Sequence, residues 1–185
     1  MDIEFKGSPF IGEKVRLRPF ETTDLDAIMQ WWNTYETRRF LKSFIPHSRG
    51  QEEDWLKNAE EEAKKQISFE FAIVEKDTGK LLGGAGLMNI NWINRKAMLG
   101  IGLHNPANHE RGFGTDTMRC LLKFAFQILN LHSVSLSVYE YNPRAIHVYQ
   151  KVGFKEVGHL REAQFFEGKY YDEILMDCLA HEFSP

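Results

Sequence analysis

Between Lys96 and Tyr139 the chain changes its hydrophobic period twice, which restricts it to folds that lay a helix on a sheet. "KAMLGIGLH" (96–104) and "HSVSLSVY" (132–139) read as strands, while residues 114–130 carry Met118, Leu121, Leu122, Ala125 and Leu129 on one helical face. Cys120, Phe124 and Phe126 widen that face, so the helix is expected to be buried on most sides. Just before it stands "HERGFGTD" (109–116), with Gly112 and Gly114 flanking a phenylalanine. Glycine is costly in ordered structure, so the pair indicates a tight turn or a close approach to the main chain.

The flanking segments extend the sheet. "KVRLRPF" (14–20) reads as a strand, and Thr22 or Thr23 is placed to cap a helix over "DLDAIMQWWN". "SRGQEEDWLKNAEEEAKKQ" (48–66) has the pattern of a charged surface helix with Trp55, Leu56, Ala59 and Ala63 turned inward. "ISFEFAIVEK" and "KLLGGAGLMNI" flank the turn signal "DTG" and read as an antiparallel hairpin. In "NPRAIHVYQKVGF", Asn142 is an N-cap, proline follows at the first helical position, and Gly153 ends the helix. "KEVGHL" and "YYDEILMDCLA" supply two last strands. The expected fold is α/β with a mixed sheet of six or seven strands, and residues 1–185 form a single domain.

The bulk properties narrow the functional classes. A formal charge of -3 gives no global basic field for nucleic acid or an anionic membrane. No stretch approaches the roughly 20 apolar residues of a membrane span, and the N-terminus lacks an apolar segment of signal-peptide length. Only Cys120 and Cys178 are present, so no disulfide framework is expected and a cytoplasmic location follows. The favoured partner is a small molecule or a protein.

A helix N-terminus offers free N–H groups and a positive dipole end to an anion, and the two glycines would admit a phosphate to the main chain. Thr115 could add a hydroxyl. A turn packed only on its own helix accounts for the glycine spacing equally well. Several other readings fail on the letters. Thr117 stands where a dinucleotide fingerprint needs its third glycine, no Lys-Ser or Lys-Thr completes a P-loop, and Phe113 replaces the second histidine of a zinc-protease helix.

At this point two motifs in register resemble a family. "HERGFGT" resembles the Q/R-x-x-G-x-G/A loop of the GNAT acetyltransferase superfamily, and "NPRAIHVYQKVGF" is similar to its N-x-x-A-x-x-x-Y-x-K-x-G-F helix. "VRLRPFETTDLDAI" and "REAQFFEGKYYDEILM" resemble its first strand and helix and its closing hairpin, so the likeness covers nearly the entire chain. It points to the branch of ribosomal-protein N-terminal acetyltransferases and spermidine N-acetyltransferase. The resemblance implies a GNAT-like fold: a mixed, mostly antiparallel sheet with helices on both faces. It implies acetyl-coenzyme A as co-substrate, no metal, and direct transfer to a primary amine of a peptide or small molecule in a ternary complex. Many members of the family are dimers, so the resemblance allows a homodimer.

Carried over residue by residue, it implies that backbone amides from Arg111 through Gly112, Phe113 and Gly114 to Thr115 hold the pyrophosphate. His109 occupies the position usually held by Gln or Arg. Backbone groups of Ile101, Gly102 and Leu103 would pair with the pantetheine arm, an N–H near Leu103 would stabilise the oxyanion, and Asn142 would bond near the thioester. Tyr149 would protonate the departing thiolate; an unperturbed phenol pKa of about 10 keeps it protonated at neutral pH.

Where many relatives carry glutamate in "AEIG", this chain has "AMLG", and Met98 cannot take a proton. His104 and Glu36 are conceivable bases, and none is assigned. Trp31, Trp32, Glu36, Glu162, Tyr170 and Tyr171 are candidates for an acceptor cleft, where aromatic walls and a carboxylate suit an amine. A non-catalytic module that binds acetyl-coenzyme A as a regulatory ligand is the alternative, which the missing glutamate favours and Tyr149 disfavours.

Overall fold

The computed structural model describes residues 8–41 and 44–184. Seven strands form one sheet in the order β1-β2-β3-β4-β5-β7-β6. They are β1 (Val15–Arg18), β2 (Phe69–Glu75), β3 (Leu81–Asn91), β4 (Lys96–Leu103), β5 (Ser133–Tyr139), β6 (Lys155–Phe166) and β7 (Lys169–Leu179). The helices are α1 (Leu25–Trp32), α2 (Tyr35–Arg38), α3 (Arg49–Lys64), α4 (Phe113–Lys123) and α5 (Pro143–Lys151). Every pairing in the sheet is antiparallel except β4 with β5, which α4 connects. The expected β2–β3 hairpin is present, turning at Gly79 with φ +70°. Ala72 and Ile73 are consecutive in β2 and both fully buried, so both faces of the sheet are covered there.

The main core gathers Met118, Leu121 and Leu122 of α4 against Leu87, Val134 and Met176 of the sheet, all almost completely buried. Asp116 ties α4 to the start of β1. Its carboxylate accepts the N–H groups of Glu13, Lys14 and Val15 at 3.1, 2.7 and 2.9 Å.

Three boundaries differ from the sequence reading. The helix expected over 114–130 starts at Phe113 and widens into a π-helical segment over Phe124–Ile128. There the Phe124 ring meets Phe10, Phe69 and Phe71 at 5.0, 5.5 and 5.6 Å. Strand β6 runs on to Phe166: the register shift between Leu160 and Gln164 bulges Arg161, Glu162 and Ala163 out of the ladder, and pairing with β7 resumes at Gln164. Helix α2 is too short to give a periodic signal and was not anticipated.

One irregularity positions everything that follows. Strands β4 and β5 pair only from Lys96 to Met98 and Ser133 to Ser135, and beyond those residues they part.

Candidate active site

Where β4 and β5 separate, a cleft of about 800 Å³ opens through the sheet. Leu99 to His104 form one wall and Ser137 to Tyr139 the other, and residues of α2, α4 and α5 complete the lining. The parting leaves Ile101, Gly102 and Leu103 without β5 partners, so this stretch can pair with an extended ligand arm as an added strand would.

The glycine turn lies at the start of α4. Gly112 is the N-cap of α4 with φ +86°, a left-handed conformation that other residues reach only at a cost. A Cβ there would stand 3.0 Å from Lys14 Nζ, which donates to the Arg111 carbonyl at 2.8 Å. Among the described residues no side chain caps the helix, and the Asp116 N–H bonds back to the Gly112 carbonyl at 3.1 Å. Gly114 is less constrained, since a Cβ would make only ordinary contacts at 3.9 and 4.0 Å. Gly112, Gly114 and Thr115 line the cleft. The other two loop residues turn away: Phe113 is buried, and the Arg111 guanidinium lies over its ring at 4.6 Å and reaches Glu75 at 3.0 Å. Any contact of Arg111 and Phe113 with a cleft ligand is therefore through the backbone.

His109 also lines the cleft, with Nε2 3.4 Å from the Leu103 carbonyl. Burial, then the neighbouring Arg144 charge, lowers its pKa. Asn142 both caps α5 and faces the cleft. Its side-chain oxygen accepts the Ala145 N–H at 3.2 Å, which leaves the amide nitrogen as the group able to donate to a ligand. Tyr149 is 9% exposed in the cleft wall, and burial pushes its phenol up to about 12. It is fully protonated at neutral pH and can act only as a donor.

The missing carboxylate on β4 remains missing. Met98 does not line the cleft; its sulfur receives Asn89 Nδ2 at 3.6 Å. His104 is buried against Trp32, with ring centroids 5.6 Å apart, and burial pushes it down to about 4, which makes it neutral and a poor base. Of the proposed acceptor residues, Trp32 and Glu36 line the cleft. Trp31 borders a separate small cavity with Lys80 and Asn108, whereas Tyr170 packs on Phe165 and Tyr171 on Tyr141.

Glu173 was not anticipated. It lies in β7 opposite Tyr139, lines the cleft, and accepts a hydrogen bond from the Ser137 hydroxyl. Within "YYDEILMDC" the buried Ile174, Met176 and Cys178 mark one face, so Glu173 was identifiable as facing the other way. The parting that opens a cleft beside it carried no sequence signal. Both cysteines are buried in the core, with thiols pushed up to about 12 at Cys120 and about 11 at Cys178, which makes neither a nucleophile.

Comparison with known proteins accounts for this arrangement. The family described as "Acetyltransferase (GNAT) domain" matches residues 14–155. Spermidine N(1)-acetyltransferase of Vibrio cholerae is 37% identical over 111 residues, spanning 60% of this chain and 64%, just under two thirds, of that relative. The Escherichia coli K12 protein of the same name is 28% identical over 174 residues, 91% of this chain and 88% of its own. The crystal structure of spermidine N-acetyltransferase from Vibrio cholerae in complex with CoA and spermine superposes with a TM-score of 0.81 at 29% identity, covering 91% of this chain and 97% of that one. With a glycine-capped helix and a buried tyrosine bordering the cleft of a split sheet, the chain belongs to the GNAT acetyltransferase family, whose members move an acetyl group from acetyl-coenzyme A to an amine.

Proposed function

We propose that this chain acetylates a primary amine of a small cationic acceptor of the polyamine class, with acetyl-coenzyme A as donor, and that residues 1–185 act as one domain. The observation that carries the reading is the cleft itself: uncapped amides at the start of α4, a buried phenol in its wall, and the carboxylates of Glu36 and Glu173 in its lining. The amides of 111–115 hold the pyrophosphate, with Gly112 and Gly114 giving access and Lys14 Nζ adding positive charge beside the turn. Main-chain groups of Ile101 to Leu103 pair with the pantetheine arm, His109 packs beside them, and the Asn142 amide nitrogen donates near the thioester. An N–H near Leu103 faces the developing oxyanion, and Tyr149 gives its proton to the leaving thiolate.

The lining supports a cationic amine. Glu36 and Glu173 bring carboxylates to the cleft, and Trp32, Phe40 and Tyr139 provide aromatic walls. The names of the relatives support the same class. Calorimetric titration with acetyl-coenzyme A, ATP and NAD, followed by thiol release with spermidine, spermine and a short peptide, tests the reading. It expects binding of acetyl-coenzyme A in preference to the nucleotides and turnover with the polyamines. Cofactor binding without thiol release from any amine would favour the regulatory module.

A further inference from the structure

Strand β4 carries no group able to accept a proton at its centre, and its outer positions are bare. Ala97 and Leu99 are buried in the core cluster, which puts Met98, Gly100 and Gly102 on the opposite face. Among the described residues, nothing would crowd a side chain at Gly102. The parallel register sets Met98 beside Ser135, so Ser137 continues the same face two residues on, and Tyr139 after it. Glu173 pairs with Tyr139 and bonds to the Ser137 hydroxyl, so its carboxylate lies on that face too, two strands away from Met98. Ile174 and Met176, its alternating neighbours, belong to the core cluster, as does Tyr149. Glu173 and Tyr149 therefore reach one cleft from the two sides of the split sheet.

On the reading that this cleft transfers acetyl groups to amines, we infer that Glu173 is the catalytic base, a carboxylate supplied from β7 in place of one on β4. The acceptor arrives as R–NH3⁺ and gives one proton to the Glu173 carboxylate. The freed lone pair forms the C–N bond to the thioester carbonyl, and collapse breaks the C–S bond. The thiolate takes the Tyr149 proton, and the proton still in excess on nitrogen returns to the Tyr149 phenolate. Glu173 then releases its proton to solvent, so one proton is released per turnover. Ser137, whose hydroxyl donates to the carboxylate, holds it in place.

The groups around Glu173 do not compete for this role. Tyr139 beside it is kept protonated by burial and by the Glu173 charge, and His104 at the end of β4 is a weak base. Glu36 faces the cleft from exposed positions on α2. Arg144, His147 and Lys151 lie along α5. An alkyl amine with a pKa near 10.4 is neutral in only about one molecule per thousand at pH 7.4, which sets the ceiling on what a base can contribute.

The test is the pH profile of kcat/KM for spermidine in wild type, Glu173→Gln and Ser137→Ala, with acetyl-coenzyme A affinity measured calorimetrically on each. Glu173→Gln should lose about 10²–10³-fold in kcat/KM at pH 7. It should recover with unit slope toward pH 9.5, as the free amine deprotonates, and keep its affinity for acetyl-coenzyme A. Ser137→Ala, which frees the carboxylate to rotate, should lower kcat/KM at pH 7 by less than Glu173→Gln does and leave acetyl-coenzyme A affinity unchanged. A Glu173→Gln profile parallel to wild type, or within threefold of it, overturns the inference, as does the same pH-dependent loss appearing in Glu36→Gln instead. Wild-type protein that binds acetyl-coenzyme A but never releases thiol overturns the acetyltransfer reading itself, and this inference with it.

Discussion

Asp116 is the residue whose removal should most damage the site without touching its ligands. One carboxylate oxygen takes the Glu13 N–H at 3.1 Å, and the other takes those of Lys14 and Val15 at 2.7 and 2.9 Å. Hydrogen bonds to a charged group contribute about 1.5–3 kcal/mol each. In Asp116→Asn the single carbonyl oxygen can keep the Lys14 and Val15 pair without charge assistance, while the Glu13 N–H is left facing an NH2. Losing one charge-assisted bond and about half the strength of two others destabilises by roughly 3–6 kcal/mol. Each kilocalorie lowers Tm by about 2–4 °C in a chain of this size, so the midpoint should fall roughly 6–24 °C. Thermal unfolding followed by circular dichroism measures it. A shift below about 2 °C would refute the claim that this carboxylate anchors the helix that presents Gly112.

Three further predictions concern the cleft and the core. Tyr149→Phe should lower kcat by about 10²–10⁴-fold with little change in acetyl-coenzyme A affinity; unchanged turnover removes the phenol from the mechanism. Gly112→Ala forces a Cβ into a φ of +86° beside Lys14, costs about 1–2 kcal/mol and should weaken calorimetric binding of acetyl-coenzyme A, whereas Gly114→Ala should leave Tm nearly unchanged. Burial, with the Glu62 charge added, pushes Glu70 up to about 7, above its ordinary 4.5, so the folded state holds this proton more tightly. Its contribution is therefore lost as pH rises from about 4.5 to 7, and Glu70→Gln should be stabilising at pH 8 by up to about 3 kcal/mol in urea unfolding, with no gain at pH 4.5.

Elements with a strong period were legible in the sequence. The β2–β3 hairpin, α3 with its Ser48 capping box, and α5 between Asn142 and Gly153 form where their letters place them. Gly112 was legible as a position needing unusual backbone, and its φ supplies the reason. What escaped depends on tertiary geometry. No local pattern announces that β4 and β5 part after Met98, yet that parting decides which side chains share a cleft. For the same reason Glu173 passed as one more polar residue of a half-buried strand. Tyr170 and Tyr171, attractive as aromatic letters, turned out to pack on their own hairpin and on Tyr141.

The central claim is direct transfer from acetyl-coenzyme A to an amine held in the same cleft. Initial velocities of thiol release, measured over a matrix of acetyl-coenzyme A and spermidine concentrations, test it most directly. Intersecting reciprocal plots are predicted, because both substrates must be bound before the acetyl group moves and neither buried cysteine can hold it between steps. Parallel plots, or no velocity at any spermidine concentration, would contradict the account.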